Sequence, residues 1–287
     1  MMKQPEVEKQ PWSLVITPKR RLLEIPVREI WYYRDLLLLL VRRDFVALYK
    51  QTILGPLWFL IQPVLTTLMF TLVFNKIAGL STDGLPSVLF YLAGVTCWTY
   101  FSETLTKSSE TFTLNANIFG KVYFPRIIVP LSIVISNLIK FGVQFTLFLA
   151  FLAYYLYQGS PVAPNKVLLI LPLLLLLMGG LGLGMGMIIS AMTTKYRDLR
   201  FLLTFAVQLF MYATPVIYPL STLDQKYQWI LLLNPVTPII ETFRYGFLGN
   251  GSYEPFYLAY SFAFMTTVLF VAMVIFNQVE KNFMDTV

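Results

Sequence analysis

Hydrophobic positions along this chain fall into two regimes. Polar and apolar residues are mixed up to residue 52, and from residue 53 onward long apolar runs dominate. Residues 1–30 carry Pro5, Pro11, Pro18 and Pro26 and read as a largely irregular arm, with a short strand or surface-docked patch at 12–16. From Glu29 to Lys50 the pattern turns helical. At 100° per residue, Arg34, Asp35, Arg42, Arg43 and Lys50 share one half of the wheel, and Leu36, Leu37, Leu40, Val41 and Leu48 share the other. Asp44 falls on the apolar half and Leu39 and Val46 on the charged half, so the separation is partial. A basic amphipathic helix lying in a membrane interface fits this pattern best. The competing reading, a core helix of a small soluble domain, lacks any other soluble segment to pack against.

Six apolar runs follow, at 53–74, 87–105, 127–157, 167–192, 201–217 and 256–278. A hydrocarbon core of about 30 Å takes about 20 residues of helix, so each run is a candidate span. The runs are continuous rather than alternating, which argues against a barrel. Pro63 predicts a kink in the first, and the third is longer than one crossing needs. Between the last two runs, residues 218–255 hold two short apolar pieces, 229–233 and 236–244, around Asn234-Pro235. Neither is long enough to cross, and together they predict a re-entrant helical hairpin on the outer side, its turn sheltered by protein or by a water-filled cavity. The expected fold is therefore an all-α membrane protein in three parts: a cytoplasmic arm and interface helix (1–52), a six-span domain (53–278) and a cytoplasmic tail (279–287).

Loop charge sets the predicted orientation. With the N-terminus inside, the cytoplasmic pieces hold 17 Lys and Arg, against four outside: Lys76, Lys166, Lys226 and Arg244. This bias predicts both termini in the cytoplasm. Composition agrees with a membrane protein, because 57% of residues are hydrophobic and 13% charged, where a soluble domain carries about 25% charged. The net charge of +7 follows the loops, so it is a topological signal rather than a nucleic-acid footprint. There is no His, and one Cys, Cys97, in an apolar run, so neither a disulfide framework nor a Cys/His metal cluster is expected. The first residues lack the apolar core of a signal peptide, which predicts insertion through an internal signal anchor.

Several local patterns bear on function. The glycines between Gly179 and Gly186 have small-xxx-small spacing at Gly180/Gly184 and Gly182/Gly186, which permits close helix packing. They follow no strand and are not a nucleotide loop. No Gly-x-x-x-x-Gly-Lys-Ser/Thr occurs, since Gly120-Lys121 is followed by Val122, so ATP energy would have to come from another subunit. Asn137, Lys140 and Gln144 lie at i, i+3 and i+7 on one face of the third run. An intramembrane Lys is costly, and two readings of Lys140 stand: it lines a polar pathway, or it snorkels or bonds a neighbouring helix. The second run mixes Tyr91, Trp98 and Tyr100 with hydroxyl residues, a surface suited to stacking sugar rings and also to interfacial anchoring. The inner loops 107–126 and 195–200 are basic, and the first is long and partly apolar, as a partner-docking element would be.

Read in order, Arg34-Asp35-Leu36, Arg43-Asp44, Tyr49-Lys50, Leu54-Gly55, Trp58 and Gln62-Pro63 resemble the signature of type-2 ABC permeases that export O-antigen, capsular polysaccharide or teichoic acid. Lys195-Tyr196-Arg197-Asp198-Leu199, Pro215-Val216-Ile217-Tyr218, Asn234-Pro235, Phe243-Arg244 and the ending Glu280-Lys281-Asn282-Phe283-Met284-Asp285 are similar to further family elements. The resemblance runs from about residue 14 to the C-terminus. It implies a homodimer working with two copies of a cytoplasmic P-loop ATPase, which would hold the ATP and Mg, this chain needing no cofactor of its own. It implies a polyprenyl-diphosphate-linked glycan as cargo, membrane lipid as surroundings and the bacterial inner membrane as location. Arg42, Arg43 and Lys50 would then sit near the lipid diphosphate, though anionic headgroups would also attract them. Trp58, Phe59, Trp98, Tyr100 and Tyr212, with Lys140, are the expected channel residues. Lys121, Arg126, Lys195, Arg197 and Asp198 are expected to face the ATPase. A drug or lipid exporter of the same architecture is the near alternative. An ion-coupled transporter would need acidic residues at the midplane, where Glu103 is the one candidate, near the inner end of its run. A membrane glycosyltransferase would need paired carboxylates or a metal cluster, and the chain has no His and no Asp-x-Asp.

Overall fold

The computed structural model describes residues 27–50, 53–119, 124–196 and 198–286. The patch at 12–16 and the side chains of Lys121 and Arg197 lie outside these segments. The described residues form helices and turns, with no strand among them. In order they are α1 (Val27–Tyr32), α2 (Arg34–Tyr49), α3 (Trp58–Phe70), α4 (Ser87–Ser109), α5 (Thr111–Phe119), α6 (Ile128–Tyr157), α7 (Leu171–Thr193), α8 (Leu199–Tyr212), α9 (Gln225–Leu232), α10 (Thr237–Leu248) and α11 (Pro255–Thr286). Helix α3 enters through a 3₁₀ turn at Gly55–Leu57, passes through the buried Pro63 without a break, and leaves through a π-helical stretch, Thr71–Ile77.

Four helical stretches are long and apolar enough to cross a membrane: Gly55–Ile77, Ile128–Tyr157, Lys166–Thr193 and Pro255–Val279. The remaining two apolar runs differ from these for separate reasons. The run at 87–105 becomes α4, a 23-residue helix of sufficient length that carries Ser, Thr, Glu and Lys. It tolerates them because it is the central helix, packed on α7, α6, α3 and α10, with Thr96, Thr104 and Ser108 fully buried. The run at 201–217 becomes α8, which stops at Tyr212 after 14 residues, about 21 Å of helix. Pro215 brings this about, because it lacks a donor and biases Thr214 away from helical geometry. The last helix is longer than its apolar run and continues to Thr286.

Residues 218–255 hold the expected pair of short helices, α9 and α10, of 8 and 12 residues. The Asn234 side chain shapes the turn between them. Its Oδ1 accepts from the Val236 N–H at 3.0 Å, and its Nδ2 donates to the Thr214 hydroxyl at 2.8 Å. Tyr260 and Ser261 of α11 donate to the carbonyls of Leu233 and Pro235, each at 2.8 Å, so the turn's backbone is satisfied from two sides. Helix α10 is buried almost throughout and ends on Gly249 at φ 77°, a left-handed cap. Helix α9 exposes Tyr227, Trp229 and Ile230.

Helix α2 lies along α6. Leu40 and Val41 are buried there, Leu36 and Leu37 partly so, while Arg42, Arg43, Leu38 and Leu39 face outward. The buried stripe follows the wheel, and Leu38 and Leu39 widen the exposed apolar surface beyond it.

The glycine-rich helix α7 closes the bundle. A Cβ on Gly182 would lie 2.9 Å from the Phe101 carbonyl oxygen, and one on Gly186 2.7 Å from that of Leu105, both on α4. Gly180 and Gly184 instead turn toward Met265, Val268 and Leu269 of α11. Two glycine faces thus let two helices approach α7 at backbone distance. Gly186→Ala should destabilise the fold by about 1–3 kcal/mol, because it meets Ser108 Cβ and the Leu105 carbonyl oxygen, and neither can move aside without the α4 backbone. Gly142→Ala, where a Cβ meets nothing within 4 Å, should cost nothing. Thermal unfolding of both variants in one detergent checks the pair.

Candidate functional site

The polar face of α6 turns inward onto α4, where it meets two residues spaced one turn apart. Glu103 and Lys107 are at i and i+4 on α4 and bond through Oε2 at 3.0 Å. The Lys140 ammonium donates to the other oxygen of Glu103, Oε1. Lys107 also donates to Asn137 Oδ1 at 3.0 Å, and Asn137 Nδ2 donates to the Thr104 hydroxyl at 3.2 Å. Lys140 lies 5.5 Å from the centroid of the Phe59 ring, which adds a cation–π contact from α3. One carboxylate thus serves two ammoniums, and the Lys140 side chain is only 12% exposed. Desolvating three charges is costly, and the shared geometry offsets much of that cost.

This cluster stands between two cavities. The smaller, of about 220 Å³, lies among α3, α4, α6 and α8 and is lined by Gln62, Thr66, Trp98, Ser102, Glu103 and Gln144. The larger, of about 510 Å³, opens between α2, α4, α5 and α6, with Arg43, Lys107, Ser136, Asn137 and Lys140 on its wall. Glu103 faces the first cavity and both lysines face the second. The first combines an indole face with amides and hydroxyls, the combination that stacks and hydrogen-bonds a sugar ring. The second presents cations on a partly apolar wall, suited to an anionic group on an apolar carrier.

The sequence-predicted residues distribute unevenly around these cavities. Lys140, Arg43 and Trp98 line them, and Phe59 is buried beside Lys140. Trp98 is largely core, with its ring 5.4 Å from Phe101 and 5.8 Å from Phe210. Arg43 is held by Asp44 through Nε and Nη2 at 2.9 and 2.8 Å. Arg42 and Lys50 are exposed on α2 and at its end. Trp58 is 48% exposed on the outside of α3. Tyr100 lies away from both cavities, packed on Phe141 at 5.6 Å and against Gly179 of α7. Tyr212 ends α8, and its carbonyl accepts from the Tyr218 hydroxyl at 3.0 Å. Of the residues expected to face an ATPase, Arg126 is buried over the Phe119 ring, while Lys195 and Asp198 are exposed at the start of α8.

The roles of Glu103 and Lys107 as partners of Lys140 did not emerge from the sequence. The available signal was their i, i+4 spacing, the commonest helical ion pair. A second buried cluster was also missed. Arg244 of α10 is 1% exposed. Its Nη1 donates to the Pro215 carbonyl at 2.5 Å and its Nη2 to the Val216 carbonyl at 2.7 Å. Glu241 is 3.3 Å away and the Phe90 ring 3.8 Å from the guanidinium carbon. Gly94 on α4 leaves room for this head group, since a Cβ there would be 2.8 Å from Nη2. The guanidinium fork therefore pins α10, α4 and the chain leaving α8 to one another. Arg244→Met should cost about 3–5 kcal/mol by stranding Glu241 as a buried unpaired charge. Adding Glu241→Leu should recover most of it, as measured by melting temperature and by yield of monodisperse protein.

Known proteins share this arrangement of sequence. The model of the ABC-2 type transporter family matches residues 35–248, a range that contains both cavities and the Arg244 cluster. An O-antigen export system permease protein RfbA of Klebsiella pneumoniae is 28% identical over 255 residues, covering 88% of this chain and 95% of the relative. A protein of the same name from Myxococcus xanthus is 28% identical over 264 residues, covering 91% and 98%.

Proposed function

The chain belongs to the ABC-2 type transporter family, and on that premise we propose that it is the permease subunit of an ATP-driven polysaccharide exporter. Its cargo is a polyprenyl-diphosphate-linked glycan of the O-antigen kind, moved out of the cytoplasm across a bacterial inner membrane. The observation that carries this reading is likeness along nearly the whole chain to proteins named O-antigen export permeases. The two cavities are in keeping with it: a carrier diphosphate suits the cationic one, and the indole and amide lining of the other suits sugar.

In this reading the chain crosses the membrane six times with both termini in the cytoplasm. Helix α2 lies in the inner interface, and α9 and α10 form a re-entrant hairpin on the outer side. Two copies assemble around a shared channel. Two ATPase subunits dock from the cytoplasm against α5 and the start of α8, and ATP and Mg bind there. The loop charges favour this topology, and the burial of α10, with its turn bonded to the chain just after α8 and to α11, supports a sheltered non-spanning backbone.

Deleting the gene from its host should abolish surface polysaccharide and leave lipid-linked glycan inside the cell, with recovery on complementation. Unchanged surface glycan, with altered efflux of a hydrophobic drug or lipid, would contradict the proposal.

A further inference from the structure

The ion cluster between the two cavities carries a charge imbalance. Around the larger cavity Arg43 is held by Asp44 and Glu110 by Arg200. Lys107 and Lys140 share the single carboxylate of Glu103, so the surplus positive charge rests on the lysine pair. Ser136 lines the same cavity, and its hydroxyl, turned away from open space, has no hydrogen-bond partner and is left to donate if it rotates. Glu103 itself faces the other cavity.

We propose that Glu103 is a resident counter-ion and that Lys107, Lys140 and Ser136 form the seat it guards. A phosphate-type anion entering the larger cavity displaces the carboxylate from the lysines and takes the Ser136 hydroxyl as a further donor. Release of Glu103 breaks its bond to Lys140 of α6, leaving Asn137 as the link to Lys107 and Thr104 of α4, and loosens the wall toward the smaller cavity. Occupation of the inner cavity thereby becomes the condition for passage beyond it. The chemistry required is an oxyanion with several acceptors, on a lipid head group or free in solution. The inference rests on the proposed export role only for the direction of passage.

Exchange predicts opposite effects from the two sides of one ion pair, whereas a structural clasp predicts the same effect from both. The assembled complex with its ATPase, in phosphatidylcholine nanodiscs without nucleotide, would be titrated with farnesyl diphosphate and with inorganic pyrophosphate. Glu103→Gln removes the internal competitor and should tighten binding several-fold. Lys140→Gln should weaken it roughly tenfold or more, the weight of one charge-assisted hydrogen bond, with Lys140→Arg restoring it. Glu103→Asp, with its shorter arm, should tighten binding to an intermediate degree and serves if E103Q does not assemble. Binding of both probes, or of farnesyl diphosphate alone, supports the seat, the second result assigning it to a lipid head group. Pyrophosphate binding alone supports a seat for free anion. Binding of neither probe, or shifts of E103Q and K140Q in the same direction, overturns it. Loss of surface glycan in the deletion strain together with such a result would defeat this inference and leave the export role standing.

Discussion

Three half-buried charges at one level of a helical bundle must largely satisfy one another, because lipid does not solvate them and the surrounding helices admit only part of each to open volume. Glu103, Lys107 and Lys140 do this only if α4 and α6 lie side by side in a fixed register, with Asn137 bridging to Lys107 and Thr104. Most of the architecture follows from that requirement. A helix carrying Glu103, Ser102 and several threonines cannot face hydrocarbon, so α4 occupies the centre and is covered by α3, α6, α7 and α10. Coverage at close range needs a partner without side chains in the way, and α7 supplies Gly182 and Gly186 at the points where it meets carbonyls of α4.

The two polar clusters differ in how firmly they are closed. The Arg244 fork is almost sealed, donates to two carbonyls and rests on Phe90. The Glu103 cluster borders open volume on both sides, is partly exposed, and leaves one positive charge unmatched. In the proposed reading a permease uses both kinds of joint: a rigid frame that keeps α10 and the turn after α8 against α4, and a weaker one beside the two cavities. On the proposed exchange, the second opens at low cost because an incoming anion would replace the bonds that are lost.

Much of the fold was legible in the sequence, for identifiable reasons. Long apolar runs define helices because lipid forces backbone bonds to close within each segment, and four of the six runs stand as helices long and apolar enough to cross. The ends of α8 and α11 were misjudged. Hydropathy ran past Tyr212 into a Pro215 turn, and it stopped at residue 278 where a polar helix continues. The Asn137-Lys140-Gln144 face was visible as a periodicity, but its partners were not, because Glu103 and Lys107 become neighbours of Lys140 only through tertiary packing. The surroundings of Tyr100 were hidden for a related reason: an aromatic in a polar helix has no sequence mark that says which neighbour it faces. Arg244 had been counted as a loop charge, and its burial depends on Gly94, 150 positions earlier in the chain.

The measurement that bears most directly on the transport assignment is translocation in a closed system. The chain and its ATPase subunit would be reconstituted in vesicles with a lipid-linked glycan supplied on the ATPase side, and glycan reaching the lumen would be scored by its protection from an external glycosidase. The expected result is ATP-dependent protection that is lost without this chain. Protection that does not depend on ATP, or vigorous ATP hydrolysis with no glycan crossing, would contradict it.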